Sequence, residues 1–239
     1  MTELNLIDQP GTAEDTWSSW PSLAALPEAD ISAWRSVVIV AAHPDDEVLG
    51  AGGTMALLAA AGVRLRLIAL TDGEASHPGS DARAVARTRI AESAAALRVL
   101  GVHDIETIRL GLPDTGLNRL LPELTGLLRT HCRGFDACLA PWEADAHADH
   151  EAAGQAARQA FPAVWMYPVW MWHWAIPADL RVPWQRGCQI PLTVAAAAAK
   201  RAAISAFVSQ LTAREPAAPP VLSGEDVAHF TRQQEVYFR

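Results

Sequence analysis

The chain has 239 residues, half of them hydrophobic and 19% charged, with a formal net charge of −8. That length and balance fit one α/β-sized domain able to bury its core without disulfide staples. A surface of that sign repels phosphate backbones and anionic lipid, which argues against nucleic acid and membrane as partners, although Arg83, Arg87 and Arg89 leave room for a local basic pocket.

Residues 1–35 open acidic and polar, with no basic stretch running into an apolar core. They read as a leader packing on the domain formed by residues 36–239, not as a secretion signal. Residues 36–42, SVVIVAA, are the apolar β-branched run of a buried parallel strand. A helix is predicted over 48–61, closed by Gly62. A second strand spans 64–71, and an amphipathic helix spans 81–100 before Gly101. A third strand covers 105–110, a helix 118–131, a fourth strand 135–141 and a helix 150–160. The tryptophan-rich stretch 163–177 holds a further strand, and 186–193 another. A helix over 194–213, a proline-rich loop at 215–220 and a short tail complete the chain. No run reaches the ~18 apolar residues of a spanning helix. Cys132, Cys138 and Cys188 are odd in number and lack CxxC spacing, so they read as buried thiols in a reducing cytoplasm.

Strands alternating with helices predict a single α/β domain: a Rossmann-like, mostly parallel sheet with helices on both faces. The polar clusters fall just after strands, where open α/β sheets bind ligands. After the first strand comes His43-Pro44-Asp45-Asp46-Glu47. Imidazole and carboxylate are both zinc ligands, and adjacent aspartates are costly to bury as anions without a cation nearby. One aspartate would bind the ion and the other handle a water proton. Helix capping accounts for the acids but leaves His43 unexplained. After the fourth strand comes Asp145-Ala146-His147-Ala148-Asp149-His150. Together His43, Asp46 and His150 supply the three protein ligands that a catalytic zinc keeps beside an open position. The glycines at 50, 52 and 53 do not make a GxGxxG fingerprint, because Met55 stands at the third position. They read as points of close approach between the helix and the site loop.

AHPDDEVLGAGG followed by DAHADH resembles the PIG-L/LmbE-like N-acetylglucosaminyl deacetylases. The resemblance runs over most of residues 36–155 and includes TDGEAS (71–76), RIAESAAALRVLG (89–101) and LGLPDTG (110–116). It implies a metal-dependent hydrolase removing an N-acetyl group from an amino-sugar conjugate. By resemblance, His43, Asp46 and His150 hold Zn2+, or Fe2+ or another divalent ion. Asp45 is the general base. His147 stabilises the oxyanion or protonates the leaving amine, and Asp149 hydrogen-bonds His147. Arg89 and Asp114 bind the substrate. An amidase acting on a larger amide and a non-catalytic sugar-binding protein are the alternatives; an intact HPDDE argues against the second, since a binding module needs no base. Trp165, Trp170, Trp172 and Trp174 line a substrate wall, the core, or an interface between copies in a homo-oligomer. His77 and His173 are placed where they could reach the site mouth.

Overall fold

In a computed structural model of the chain, which describes residues 5–214 and 218–239, strand β1 (Ser36–Ala41) is buried along its whole length. A strand covered on both faces belongs at the centre of a sheet. β1 accordingly pairs in parallel with β2 (Arg64–Ala69) on one edge and β4 (Ala137–Pro141) on the other. β3 (Glu106–Arg109) lies beyond β2 and β5 (Val164–Tyr167) beyond β4, both parallel. With β6 (Gly187–Pro191) and β7 (Gln234–Phe238), the described residues form one seven-stranded sheet in the order β3-β2-β1-β4-β5-β7-β6. The two late strands run antiparallel to their neighbours, so the sheet is mostly parallel, as the alternating pattern predicts.

The helices are α1 (Glu14–Ser18), α2 (Pro21–Ala24), α3 (Asp46–Ala60), α4 (Ala82–Val99), α5 (Leu121–His131), α6 (Ala148–Ala160), α7 (Met171–Trp174), α8 (Val194–Ile204), α9 (Val208–Leu211) and α10 (Gly224–Ala228). α8 packs against both α3 and α4, while α5 packs against α6. The helix expected over 194–213 breaks into α8 and α9 because Phe207 leaves helical backbone angles (φ −85°, ψ 57°) to bury its ring. The expected tail contains α10 and β7. The first four leader residues and positions 215–217 of the expected proline-rich loop lie outside the described residues. No described helix is long and apolar enough to cross a membrane. All three cysteines are free and buried.

The leader is stitched to the sheet side chain by side chain. Trp17 is fully buried, donates its indole N–H to the Trp172 carbonyl at 2.8 Å and meets the Trp172 ring edge-on at 5.1 Å. Glu14 receives Arg232 and pairs with His229, and Glu28 bridges to Gln189 on β6. His173 joins the same seam instead of the site mouth, with its two nitrogens 2.8 Å from Asp226 Oδ1 and from the Gln9 carbonyl.

The glycines of α3 serve close packing, though against the sheet and α8's leading loop instead of the site loop. A Cβ on Gly50 would lie 2.0 Å from the Tyr167 ring, and one on Gly53 would lie 2.4 Å from Leu192. The Tyr167 ring cannot retreat, because it is fully buried and its hydroxyl donates to the Val40 carbonyl at 2.6 Å. Gly50→Ala therefore loses roughly 1–3 kcal/mol of stability by overpacking, read as a lower urea midpoint. Gly126→Ala, at a helical glycine with nothing within 4 Å of the added Cβ, gains about 0.5–1 kcal/mol in the same assay.

Candidate active site

The sheet order places both polar motifs at one point. β1 leads to β2 and β3 on one side, and β4 then returns to the other side of β1. This is the topological switch point at which such sheets bind ligands. The turn after β1 and the loop after β4 therefore stand side by side, joined by the loops after β2 and β3.

The turn after β1 is strained where it matters. Asp45 has φ +139°, a region that side chains other than glycine rarely adopt. Its neighbours hold it there. The Asp45 N–H donates to Glu47 Oε2 at 3.1 Å, and Arg89 donates to the Pro44 carbonyl at 2.8 Å and to Asp45 Oδ2 at 3.0 Å. Ser93 in turn anchors Glu47 at 2.6 Å. Asp45 occupies the cap position of α3 but makes no side-chain cap bond, so its carboxylate is left for the cavity it lines.

Asp46 links the two motifs. Its Oδ2 accepts the His43 N–H at 2.8 Å and lies 3.6 Å from His43 Nδ1, while its Oδ1 lies 3.2 Å from His150 Nε2. The other His150 nitrogen is 2.8 Å from Asp145, which also accepts the backbone N–H groups of Val169, Trp170 and Met171. His43 Nε2 lies 3.2 Å from Asp114 and 3.3 Å from Asp149. Two triples of donors, His43–His147–His150 and His43–Asp114–Asp149, each bring one ligand atom per residue within 4.8 Å of the others. The donor set fits a divalent cation: imidazoles and carboxylates converge, and His150 has its second nitrogen fixed by a carboxylate, as metal-binding histidines do.

Charge follows this geometry. Burial opposes ionisation of both His43 and His150, but the carboxylates win. Asp114, Asp149 and Asp46 hold His43 well above the ordinary histidine value. Asp46 and Asp145 raise His150 to about 9. Burial, opposed by Arg89 and reinforced by Asp46, pushes Asp45 up to about 7. Burial and then the charges of His150 and His43 press His147 down to about 3. Burial works against the Asp114 anion, yet the His43 contact lowers it to about 2.

A cavity of about 240 Å3 opens onto these groups, lined by His43, Asp45, Asp46, Arg89, Asp114, His147 and His150 among others. Every predicted site residue except Asp149 lines it, and the buried Asp149 carboxylate lies directly behind His43. Two contacts differ from expectation. The Asp149 backbone N–H, rather than its carboxylate, reaches His147, donating to Nδ1 at 3.3 Å. The carboxylate instead accepts Thr115 and Leu117 N–H groups and faces His43. This is forced by position, because His147 caps α6 while Asp149 sits inside its first turn. Arg89 commits two of its bonds to the Asp45 turn and one to the Gly73 carbonyl, so it clamps the turn before it can touch any substrate. Arg83 and Arg87 are exposed and do not join it. Of the four tryptophans, Trp170 lines the cavity, Trp165 and Trp172 are core, and Trp174 donates its N–H to the Asp145 carbonyl. His77 is absent from the lining.

The family model described as PIG-L, GlcNAc-PI de-N-acetylase, matches residues 38–161, which covers both motifs and more than half of the chain. The chain belongs to the PIG-L family. Among relatives, a 1D-myo-inositol 2-acetamido-2-deoxy-alpha-D-glucopyranoside deacetylase of Catenulispora acidiphila is 38% identical over 98 residues, covering 37% of this chain and 30% of that protein. A diacetylchitobiose deacetylase of Thermococcus kodakarensis is 27% identical over 124 residues, covering 50% of this chain and 46% of that protein. The chain thus spans less than half the length of either relative. The solved N,N'-diacetylchitobiose deacetylase of Pyrococcus horikoshii superposes with a TM-score of 0.59 over 85% of this chain and 82% of that one, at 21% identity, a likeness of fold.

For this PIG-L member, two working residues have no role in the sequence-based expectations, Glu47 and Asp145. Both are acids inside the recognised motifs, and both are completely buried. The signal available in sequence is only the surplus of acids over expected ligands. Asp145→Ala would free the His150 ring and leave three N–H groups unpaired, so affinity for a divalent metal should fall about 10–100-fold, read by competitive titration with a chelating dye.

The metal-free protein also carries a pH signature. His150 is raised from 6.5 to about 9 on folding, so its stabilising contribution is complete below pH 6.5 and lost as pH rises through 9. Asp45, raised from 3.8 to about 7, loses its contribution as pH rises through 7. Urea midpoints of chelator-treated protein should fall from pH 6.5 to 9; a flat or rising profile would show that these pairs do not set the charge of the site.

Proposed function

We propose that the chain is a zinc-dependent hydrolase that removes the N-acetyl group of an N-acetylglucosamine-type conjugate. The observation that carries this reading is the Asp45 carboxylate, held at a strained turn and excluded from capping, in one cavity with the His43–Asp46–His150 donors. The deacetylases of Catenulispora acidiphila and Thermococcus kodakarensis support the substrate class, since one is named for an acetamido sugar and the other for diacetylchitobiose.

His43, Asp46 and His150 would hold the ion. A divalent ion bound there supplies Lewis acidity towards water and the amide carbonyl. Asp45 takes a proton from the attacking water. Arg89 engages its Oδ2, which leaves Oδ1 for the transfer. His147 Nδ1 accepts the Asp149 N–H, so a neutral His147 carries its proton on Nε2. That N–H donates to the oxyanion as the carbonyl becomes tetrahedral. The carbon–nitrogen bond then breaks as Asp45 returns its proton to the leaving nitrogen, giving the free amine and acetic acid, which releases its remaining proton to become acetate.

The test is metal content alongside amine release from N-acetylglucosamine and its conjugates. Wild type should hold about one ion per chain and lose both properties on chelation. Asp45→Asn should lower kcat by about 10²–10⁴-fold with metal retained, and loss of metal would make Asp45 a ligand instead. His147→Ala should lower kcat by about 10²–10³-fold, and a wild-type rate would remove it from the mechanism. Metal-replete protein that binds amino sugars without turnover would return the chain to a sugar-binding role.

A further inference from the structure

The cavity has a second wall that the catalytic motifs do not build. Facing the donors are Ala75, Ser76 and Pro78 from the loop after β2, and Gln210, Arg214, Val221 and Leu222 from the segment after α8. That segment lies beyond residues 38–161, the stretch matched by the family model.

Gln210 is the telling residue. It exposes none of its surface, it lines the cavity, and its side-chain Oε1 has no hydrogen-bond partner. The amide cannot be satisfied by turning end for end. Ser209 Oγ gives its one hydrogen to Glu92 Oε2 at 2.6 Å, so towards Gln210 it can only accept, and it accepts from Nε2 at 2.8 Å. The nitrogen is thereby fixed on Ser209 and the carbonyl is the free end. Glu92 also receives the Ser209 N–H at 2.8 Å and sits one turn after Arg89 on α4. The same helix therefore positions the Asp45 turn and this carbonyl. A buried acceptor without a donor is an unfavourable arrangement that a bound donor relieves. Gln210 is among the side chains that line the cavity and the last torsion of glutamine is soft, so a bound donor can draw Oε1 towards it.

We propose that Gln210 is a specificity-determining residue whose side-chain carbonyl accepts a hydrogen bond from a hydroxyl of the bound sugar. The proposal rests on the amino-sugar reading given above. A site built around an acceptor discriminates against ligands that lack the matching donor.

The experiment measures affinity by calorimetry for N-acetylglucosamine and its 3-, 4- and 6-deoxy derivatives, using zinc-loaded wild type and Gln210→Met, whose side chain keeps the length and loses the carbonyl. For wild type, one deoxy derivative should bind about tenfold more weakly than the parent. In Gln210→Met the parent should weaken by the same factor and that derivative should no longer be distinguished from it. Equal wild-type affinity for all four sugars would overturn the proposal without help from any variant, as would discrimination that persists in Gln210→Met. If wild type deacetylates N-acetylglucosamine while showing either pattern, this proposal alone fails. If wild type neither binds nor deacetylates any of the sugars, the amino-sugar reading fails and takes the proposal with it.

Discussion

Everything at the site depends on β1 having a parallel neighbour on each edge. Because β2 and β4 both pair with it, the chain must leave β1 in one direction and return on the other side. The gap between the two returning loops is the only place where residues near 45 and residues near 150 can meet. Once they meet, electrostatics takes over. Asp46 sits between two imidazoles, each drawn up by carboxylates, and the cluster has more acids than fixed cations to balance them. Such a cluster is stable when a proton or a metal ion supplies the missing positive charge.

Around that cluster the fold separates holding from acting. Arg89, Glu47 and Ser93 fix the Asp45 turn, and Asp145 fixes His150 through the N–H groups that lead into α7. α7 is itself tied to the leader through Trp17 and His173. The segment that orients a candidate ligand is thus packed against residues 9–17 through a tryptophan cluster, and among its tryptophans it supplies only Trp170 to the cavity.

Much of this was legible in the sequence for a simple reason. SVVIVAA and ACLAP are apolar on both faces, so their burial and strand type are written locally, and the polar motifs directly follow them. What escaped depends on partners far away in the chain. QEVYF hides as a strand because Glu235 interrupts its apolar run. Lys200, 2.6 Å from its carboxylate, the N–H groups of Gly53 and Thr54, and the hydroxyls of Thr54 and Tyr237 make that acid tolerable inside. The orientation of Asp149 escaped because motif spacing cannot say which face of α6 a side chain takes. Gln210 escaped because an amide in a polar stretch has no signature until Ser209 and Glu92 are seen beside it. The division of the tryptophans followed from packing alone, with Trp17 contributing a partner from well outside their segment.

The placement of β7 bears on how the molecule assembles. β7 is inserted between β5 and β6, two strands that precede it by dozens of residues. Until residues 234–238 arrive, both of those strands present bare edges and Lys200 has no counter-charge. Closure across such sequence distances is slow, and exposed strand edges are templates for pairing with other chains. A chain in which that seam has not closed would offer β5 and β6 to other chains, whereas the pairing of β1 with β2 and β4, which sets the two motif loops side by side, does not involve β7.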